Sequence, residues 1–278
     1  MFNYLLTTQY SLLTTHYSSM RIVLTDKNAL VAGSTQGIGK ATAIELSRAG
    51  ANVTLLARNE QKLQETLKLL DTSLGQKHQY LVADFAKFET LKEALQKFNT
   101  PIHILVNNTG GPAAGQAITA KTEEFLQAFQ AHLICNQILV QHCAEAMKTA
   151  KFGRIINVIS TSVKQPIKGL GVSNTIRGAV ANWAKTLSVE LAPFGITVNN
   201  VLPGATLTAR LQSLIAKNAE SQKISIEQTS EEMQREIPAR RFAQPEEIAY
   251  GIVFLASQQA AYINGTNLVI DGGRTGCL

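Results

Sequence analysis

Cysteine and long apolar runs are both scarce here, and each shortage excludes a class of protein. Three Cys among 278 residues cannot build the disulfide framework of a small secreted domain. None falls in a CxxC pair or a His/Cys cluster that would suggest a metal, so the expectation is reduced thiols in a cytoplasmic protein with no metal site. No apolar stretch reaches the roughly 18 residues needed to cross a bilayer, so no membrane partner is expected. The net charge is +6, but the cations are spread along the chain. Their densest group, Arg235 to Arg241, lacks interleaved aromatics, which reads as a solvated face or a site for an anionic cofactor, not a nucleic-acid surface. What the chain does have is 45% apolar residues, enough for one large core, and no Pro/Gly/Ser linker divides it. One domain is expected.

Met1 to Met20 contain no Lys, Arg, Asp or Glu and many Ser and Thr. A secretory signal opens on cations and continues into an unbroken apolar stretch, and neither is present. This segment reads as a disordered extension, or as residues upstream of a true start at Met20.

From Arg21 onward, apolar runs alternate with helical stripes. The runs are 29–32, 52–57, 80–83, 103–106, 154–159, 196–202 and 267–270. Continuous Val, Ile and Leu without polar alternation suits strands covered on both faces. Leu63, Leu67 and Leu70 make one stripe, Leu91, Leu95 and Phe98 another, and Ile176, Val180, Trp183, Leu187 and Leu191 a third; these spacings mark one face of a helix. The alternation predicts an α/β fold, a Rossmann-type doubly wound parallel sheet of seven strands with helices on both faces. The polar, strandless segment 209–241, closed by Pro238, reads either as a lid over a substrate site or as a variable surface helix pair.

The first run leads straight into Gly33-Ser34-Thr35-Gln36-Gly37-Ile38-Gly39, with a helical stretch expected over Lys40 to Arg48. Glycines allow a tight turn, close approach of backbone to phosphate, and close packing of helix on strand. The helix start then offers unpaired N–H groups and the positive end of its dipole to a pyrophosphate. Strand, glycine loop and helix in this order are the context a dinucleotide site requires.

The GxxxGxG spacing resembles the short-chain dehydrogenase/reductase family, and most nearly its 3-oxoacyl-[acyl-carrier-protein] reductase-like members. The resemblance runs from Arg21 to about Gly273. It includes Asn107-Asn108-Thr109-Gly110 where the family has NNAG, Gly153-Arg154-Ile155-Ile156-Asn157, and Pro203-Gly204 after the sixth strand. It continues through Pro245-Glu246-Glu247-Ile248, Phe254-Leu255-Ala256-Ser257, Ile263-Asn264-Gly265 and Val269-Ile270-Asp271-Gly272-Gly273. It implies an oxidoreductase that moves hydride between a nicotinamide cofactor and a carbonyl, on a small molecule or an acyl thioester such as a 3-oxoacyl thioester. It also implies a homotetramer or homodimer with the 128–148 and 173–191 helices at an interface. Asn108, Gly110, Pro203, Gly204, Thr206 and Thr208 join the glycine loop as cofactor contacts by this resemblance, the two threonines near the carboxamide. Asp84 matches the family's adenine-contacting acid; read locally, it could instead cap the 88–98 helix.

The second strand ends in Ala57-Arg58-Asn59. A site for NAD usually places Asp or Glu there for the ribose hydroxyl, whereas NADP wants a cation for the 2′-phosphate. Ala57 repels no phosphate and Arg58 supplies a forked donor. NADP(H) is therefore favoured over NAD(H), although Gln36 stands where many NADP-using relatives carry an Arg.

The resemblance assigns proton donation to a Tyr, with a Lys one helical turn on that lowers its pKa and binds the nicotinamide ribose. It adds an upstream Ser at the substrate oxygen and an Asn on an earlier helix that anchors a relay water. Ser160 matches the Ser. Counting onward at the family's spacing reaches Ser173 and Arg177 instead of Tyr and Lys, and His132 stands at the Asn position. A Ser hydroxyl is a far weaker acid than a Tyr tuned by a cation, and general acid catalysis is typically worth about 10²–10⁴-fold. By the resemblance Arg177 keeps the charge and can still grip the nicotinamide ribose as a cofactor contact, but it donates no proton near neutral pH. Three readings follow: a reductase whose proton comes from His132 or from a water held by Ser160 and Ser173; a dinucleotide-binding protein with little turnover, acting as sensor or partner subunit; and an enzyme of altered reaction. Arg235, Arg240 and Arg241 hint at an anionic substrate or carrier.

Overall fold

The uncharged run Asn28–Ala32 forms β1, an interior strand of a seven-stranded sheet. The other strands are β2 (Asn52–Ala57), β3 (Gln79–Val82), β4 (Ile104–Asn107), β5 (Gly153–Val158), β6 (Ile196–Pro203) and β7 (Asn267–Ile270). Every pairing is parallel, in the order β3-β2-β1-β4-β5-β6-β7. This computed structural model describes residues 22–277. The extension expected at Met1 to Met20 lies outside the described residues.

Parallel strands need crossovers, and the helical stripes supply them on both faces. The helices are α1 (Gly37–Arg48), α2 (Glu60–Leu67), α3 (Phe88–Gln96), α4 (Thr122–Phe129), α5 (Cys135–Ala150), α6 (Gly171–Leu191), α7 (Ala209–Gln222), α8 (Ile226–Arg235) and α9 (Pro245–Ala256). On one face Val31, Val53, Leu55 and Val106 pack with Leu46 of α1 and Ile248 and Ile252 of α9. On the other, Leu30, Leu105 and Ile155 pack with Leu91, Leu139, Met147 and Ala184. The sheet interior is therefore apolar on both sides, which explains the unalternated runs. Leu70 and Phe98 close their stripes just beyond α2 and α3, yet both are buried. The 128–148 stretch is not one helix: a π-turn over Gln130–Ile134 separates α4 from α5.

One polar feature crosses this core. Asn107 Nδ2 donates to Asn157 Oδ1 at 2.9 Å, Asn157 Nδ2 to Asn200 Oδ1 at 3.0 Å, and Asn200 Nδ2 to Asn267 Oδ1 at 2.8 Å. These four residues are register partners on β4, β5, β6 and β7. The chain pairs buried polar groups that would otherwise each cost about 1–3 kcal/mol, and leaves Asn107 Oδ1 at its end without a partner among the described residues.

The segment 209–241 folds as the pair α7 and α8. Leu211 and Ile215 pack on Ile237 and Phe242, and a bridge from Thr206 to Ala243 pins the base of the pair. Among the described residues, no helix is long and apolar enough to cross a membrane.

Candidate active site

The carboxyl ends of β1 and β4 lie side by side where the strand order reverses, the place where doubly wound sheets bind ligands. At Gly33 the chain leaves β1 with φ of +61°, and at Gly37 it turns through φ of +52° into α1. The helix thus begins three residues before the expected Lys40, so the amides of Gly37, Ile38 and Gly39 belong to its first turn, where N–H groups lack intrahelical partners. The packing shows why these positions are glycine. A Cβ on Gly39 would lie 2.2 Å from Gly33 O, and one on Gly33 would lie 2.5 Å from Asn108 O. Asn108 clamps the loop by donating from Nδ2 to Ala32 O and Gly33 O, both at 3.3 Å. Ser34 is buried, and its hydroxyl accepts from Leu56 N at 3.0 Å, tying the loop to β2. Thr35 is half-buried and Gln36 exposed. Thr208 comes in from the other side: its Cγ2 would be 2.9 Å from a Cβ on Gly37. The cradle fits a pyrophosphate.

Beyond β2, Arg58 is exposed and has no carboxylate partner among the described residues. Asp84 does not cap α3, whose N-cap is Lys87. Its Oδ1 accepts from Ala86 N at 3.0 Å, a tight local turn. Gly110 is exposed above β4. After β6, Pro203 and Gly204 are half-buried; a Cβ on Gly204 would meet Asp271 Cα at 2.7 Å. Thr206 donates to Gly204 O, and Thr208 caps α7 by accepting from Leu211 N.

The catalytic candidates gather at the same end of the sheet. Ser160 follows β5, is half-buried, and accepts from Ser162 N at 3.1 Å. Ser173 and Arg177 stand one turn apart in α6, each only 7% exposed. Arg177 Nη1 donates to Val158 O at 3.0 Å and Nη2 to Thr109 O at 3.5 Å, but its Nε has no partner. The contrast with Arg154, buried at the amino end of β5, is instructive. There Nε donates to Ser257 O and Nη1 to Gly153 O and Gly195 O, so the guanidinium is well served. His132 lies in the π-turn, 2% exposed, with Nδ1 bonded to Thr109 Oγ1. Burial, reinforced by the Arg177 charge, pushes its pKa down to about 2, so the ring is neutral. Burial, with Arg210 adding repulsion, pushes Arg177 down to about 10, and it remains a cation at neutral pH.

Three comparisons agree with this geometry. A family model described as "Enoyl-(Acyl carrier protein) reductase" matches residues 32–275. The chain is a short-chain dehydrogenase/reductase. It is 35% identical over 250 residues to the 3-oxoacyl-[acyl-carrier-protein] reductase FabG of Haemophilus influenzae, covering 89% of this chain and 97% of that one. It is 28% identical over 258 residues to the NADPH-dependent reductase BacG of Bacillus subtilis, covering 90% and 98%. Among solved structures, L-sorbose reductase from Gluconobacter frateurii, complexed with NADPH and L-sorbose, superposes with a TM-score of 0.86 at 27% identity, covering 93% of this chain and 100% of that one.

As a member of the short-chain dehydrogenases/reductases, this chain belongs to a family of NAD(P)-dependent reductases. Its basic cluster lies elsewhere: Arg241 forks onto Glu247 with both contacts at 2.6 Å, Arg235 pairs with Glu231, and Arg240 bonds to Arg235 O. The cation that does reach the site is Arg210, which lies outside that cluster and outside every family motif in the chain. Its local signal is its place in the first turn of α7, where a positive charge opposes the helix dipole and acids are absent. Thr109, the partner of His132, is likewise legible only as the odd residue in Asn107-Asn108-Thr109-Gly110.

Proposed function

We propose that this chain is an NADP(H)-dependent carbonyl reductase, acting on a small-molecule ketone or an acyl thioester, in which water takes the place of the usual tyrosine acid. The observation that carries this reading is the intact cofactor half of the site: a glycine cradle clamped by Asn108 beside a β2 end with no carboxylate and an exposed Arg58. NADPH-dependent and NADPH-bound relatives support it. In this reading the glycine loop holds the pyrophosphate through Gly33 and Thr35 to Gly39, with the fully buried Ser34 bracing it from behind instead of touching the cofactor. Arg58 holds the 2′-phosphate, Asp84 the adenine, and Asn108, Gly110, Pro203, Gly204, Thr206 and Thr208 the nicotinamide end. When bound, the cofactor supplies hydride.

The protein's own residues manage the oxygen. Arg177 stabilises developing negative charge as a fixed, desolvated cation. His132, being neutral, does not act as an imidazolium acid; it orients Thr109 and the loop above β4 instead. Ser160 and Ser173 hold the water that delivers the proton. The helix pair α7 and α8 serves as the lid, and the protein works as a homodimer or homotetramer through α4, α5 and α6, whose Leu126, Phe129 and Val189 are exposed. Sedimentation as a monomer at micromolar concentration overturns that assembly.

A second reading, a cofactor-binding protein with little turnover, draws on the burial of Ser173 and on the two backbone carbonyls that already occupy Arg177. NADPH binding by fluorescence, measured beside NADPH oxidation against ketones and 3-oxoacyl thioesters, decides between them. Turnover that falls in Ser160→Ala and Ser173→Ala supports the reductase. Binding without turnover, in the wild type and in Ser173→Tyr/Arg177→Lys alike, supports the second reading. A double variant that gains tenfold or more over an inert wild type shows an eroded reductase, in line with the ~10²–10⁴-fold worth of a positioned acid.

A further inference from the structure

Two guanidinium groups converge on one point of backbone beside the catalytic candidates. A Cβ placed on Gly111 would lie 3.7 Å from Nε and Nη2 of Arg210 and 3.8 Å from Nη2 of Arg177. Arg210 is half-buried, and Nη2 donates to Pro112 O at 2.5 Å. Its Nε and Nη1 have no partner among the described residues, and neither does the buried Nε of Arg177. No carboxylate pairs with either arginine among the described residues. Instead they repel one another, and the repulsion helps hold Arg177 below its ordinary pKa. Buried or half-buried charges are normally paired, so two like charges with spare donors and no carboxylate beside them are suited to receiving an anion.

We infer that Arg210, backed by Arg177, binds a carboxylate of the substrate where the start of α7 meets Gly111, beside the nicotinamide end of the cofactor, so that the substrate is an oxo acid and not a neutral ketone. Naming the ligand an oxo acid rests on the reductase reading above. The geometry explains several local oddities at once. An anion there relieves the repulsion between the arginines, gives the spare Nε and Nη1 of Arg210 their acceptor, and answers the cation in the first turn of α7. It also accounts for the helix pair. Arg210 reaches from α7 to Pro112, so a carboxylate held between them fastens α7 over the end of β4. In the 235–241 cluster Arg235 and Arg241 already face Glu231 and Glu247 on the surface, and Arg240 bonds to Arg235 O.

The test is binding, measured by calorimetry on the full chain with and without NADP⁺. The probes are acetoacetate and levulinate, each against its own methyl ester, which keeps the shape and removes the charge. The expected result is that at least one oxo acid binds about tenfold or more tightly than its ester, that Arg210→Gln abolishes the difference, and that Arg210→Lys keeps part of it. The lysine variant also shows that the loss is not general unfolding of α7, and Arg235→Gln behaves as wild type. Equal affinity for acid and ester, or no saturable binding of either acid at millimolar concentration, overturns the inference. So does an Arg210→Gln that weakens NADPH about tenfold and leaves any acid preference intact, because the anion is then a cofactor phosphate. Retained acid binding in a protein that fails to bind NADPH leaves the carboxylate site standing and defeats the reductase reading instead.

Discussion

Thr109 Oγ1 and Nδ1 of His132 share a hydrogen bond that joins the loop after β4 to the π-turn between α4 and α5. The bond lies beside the buried Arg177, which donates to the carbonyl of the same Thr109. One residue therefore couples a neutral imidazole to a fixed cation at the switch point of the sheet.

The first prediction concerns acid stability. Unfolded, His132 takes a proton near its ordinary 6.5; folded, only near about 2. Between these values unfolding takes up a proton, so stability is greatest above about 6.5 and declines as pH falls, by up to about 1.4 kcal/mol per unit. Urea titrations at about pH 7 and about pH 5 are expected to show this loss, and His132→Asn to reduce it. An unchanged slope in the variant would contradict the neutral, buried ring.

The second is cofactor choice. NADPH is expected to bind more tightly than NADH, and Arg58→Asp to remove the preference by weakening NADPH about tenfold or more, since a charge-assisted phosphate contact is lost and a repulsive one gained. Fluorescence titration with both cofactors measures it. Equal affinity in the unaltered protein rules the assignment out.

The third tests the cradle. Gly39→Ala places a methyl 2.2 Å from the backbone oxygen of Gly33, which cannot yield, and 2.6 Å from the Asn108 side-chain Nδ2 that clamps the loop. The expected outcome is a loss of about 1–3 kcal/mol in stability together with weakened NADPH binding. Gly110→Ala, whose Cβ meets nothing within 4 Å, is expected to leave stability unchanged. Similar melting temperatures for both variants would show that the loop has room to move.

The fourth addresses the amide chain across the sheet. Asn157→Val strands Asn107 Nδ2 and Asn200 Oδ1 in the core. Each unpaired group costs about 1–3 kcal/mol, so a total of about 2–5 kcal/mol is expected in denaturant unfolding. A change below about 0.5 kcal/mol would mean that the amides contribute nothing measurable.

The strands show what the chain announces about itself. Asn52–Ala57 and Asn267–Ile270 are strands over the residues expected, and the other five shift by one residue at one or both ends, because runs of Val, Ile and Leu mark the strand interiors even where an asparagine or an arginine interrupts them. The glycine loop was equally legible, since Gly33 and Gly39 answer backbone collisions that no other residue survives. Helix bounds were less so. The start of α1 moved to Gly37 and the 128–148 stretch split at a π-turn, because neither change alters which residues are apolar.

Local sequence determined the sheet, the dinucleotide cradle, and the fact that Ser173, Arg177 and His132 stand where other residues are usual. Only the tertiary structure decided the surroundings of those three. It buried His132 against Arg177 and kept the ring neutral, left Nε of Arg177 without a partner, and brought Arg210 from a distant helix to the same backbone point at Gly111. The physical reason is that protonation state and unmet hydrogen bonds depend on desolvation and on charges far away in the chain, and neither is a property of any residue's sequence neighbours.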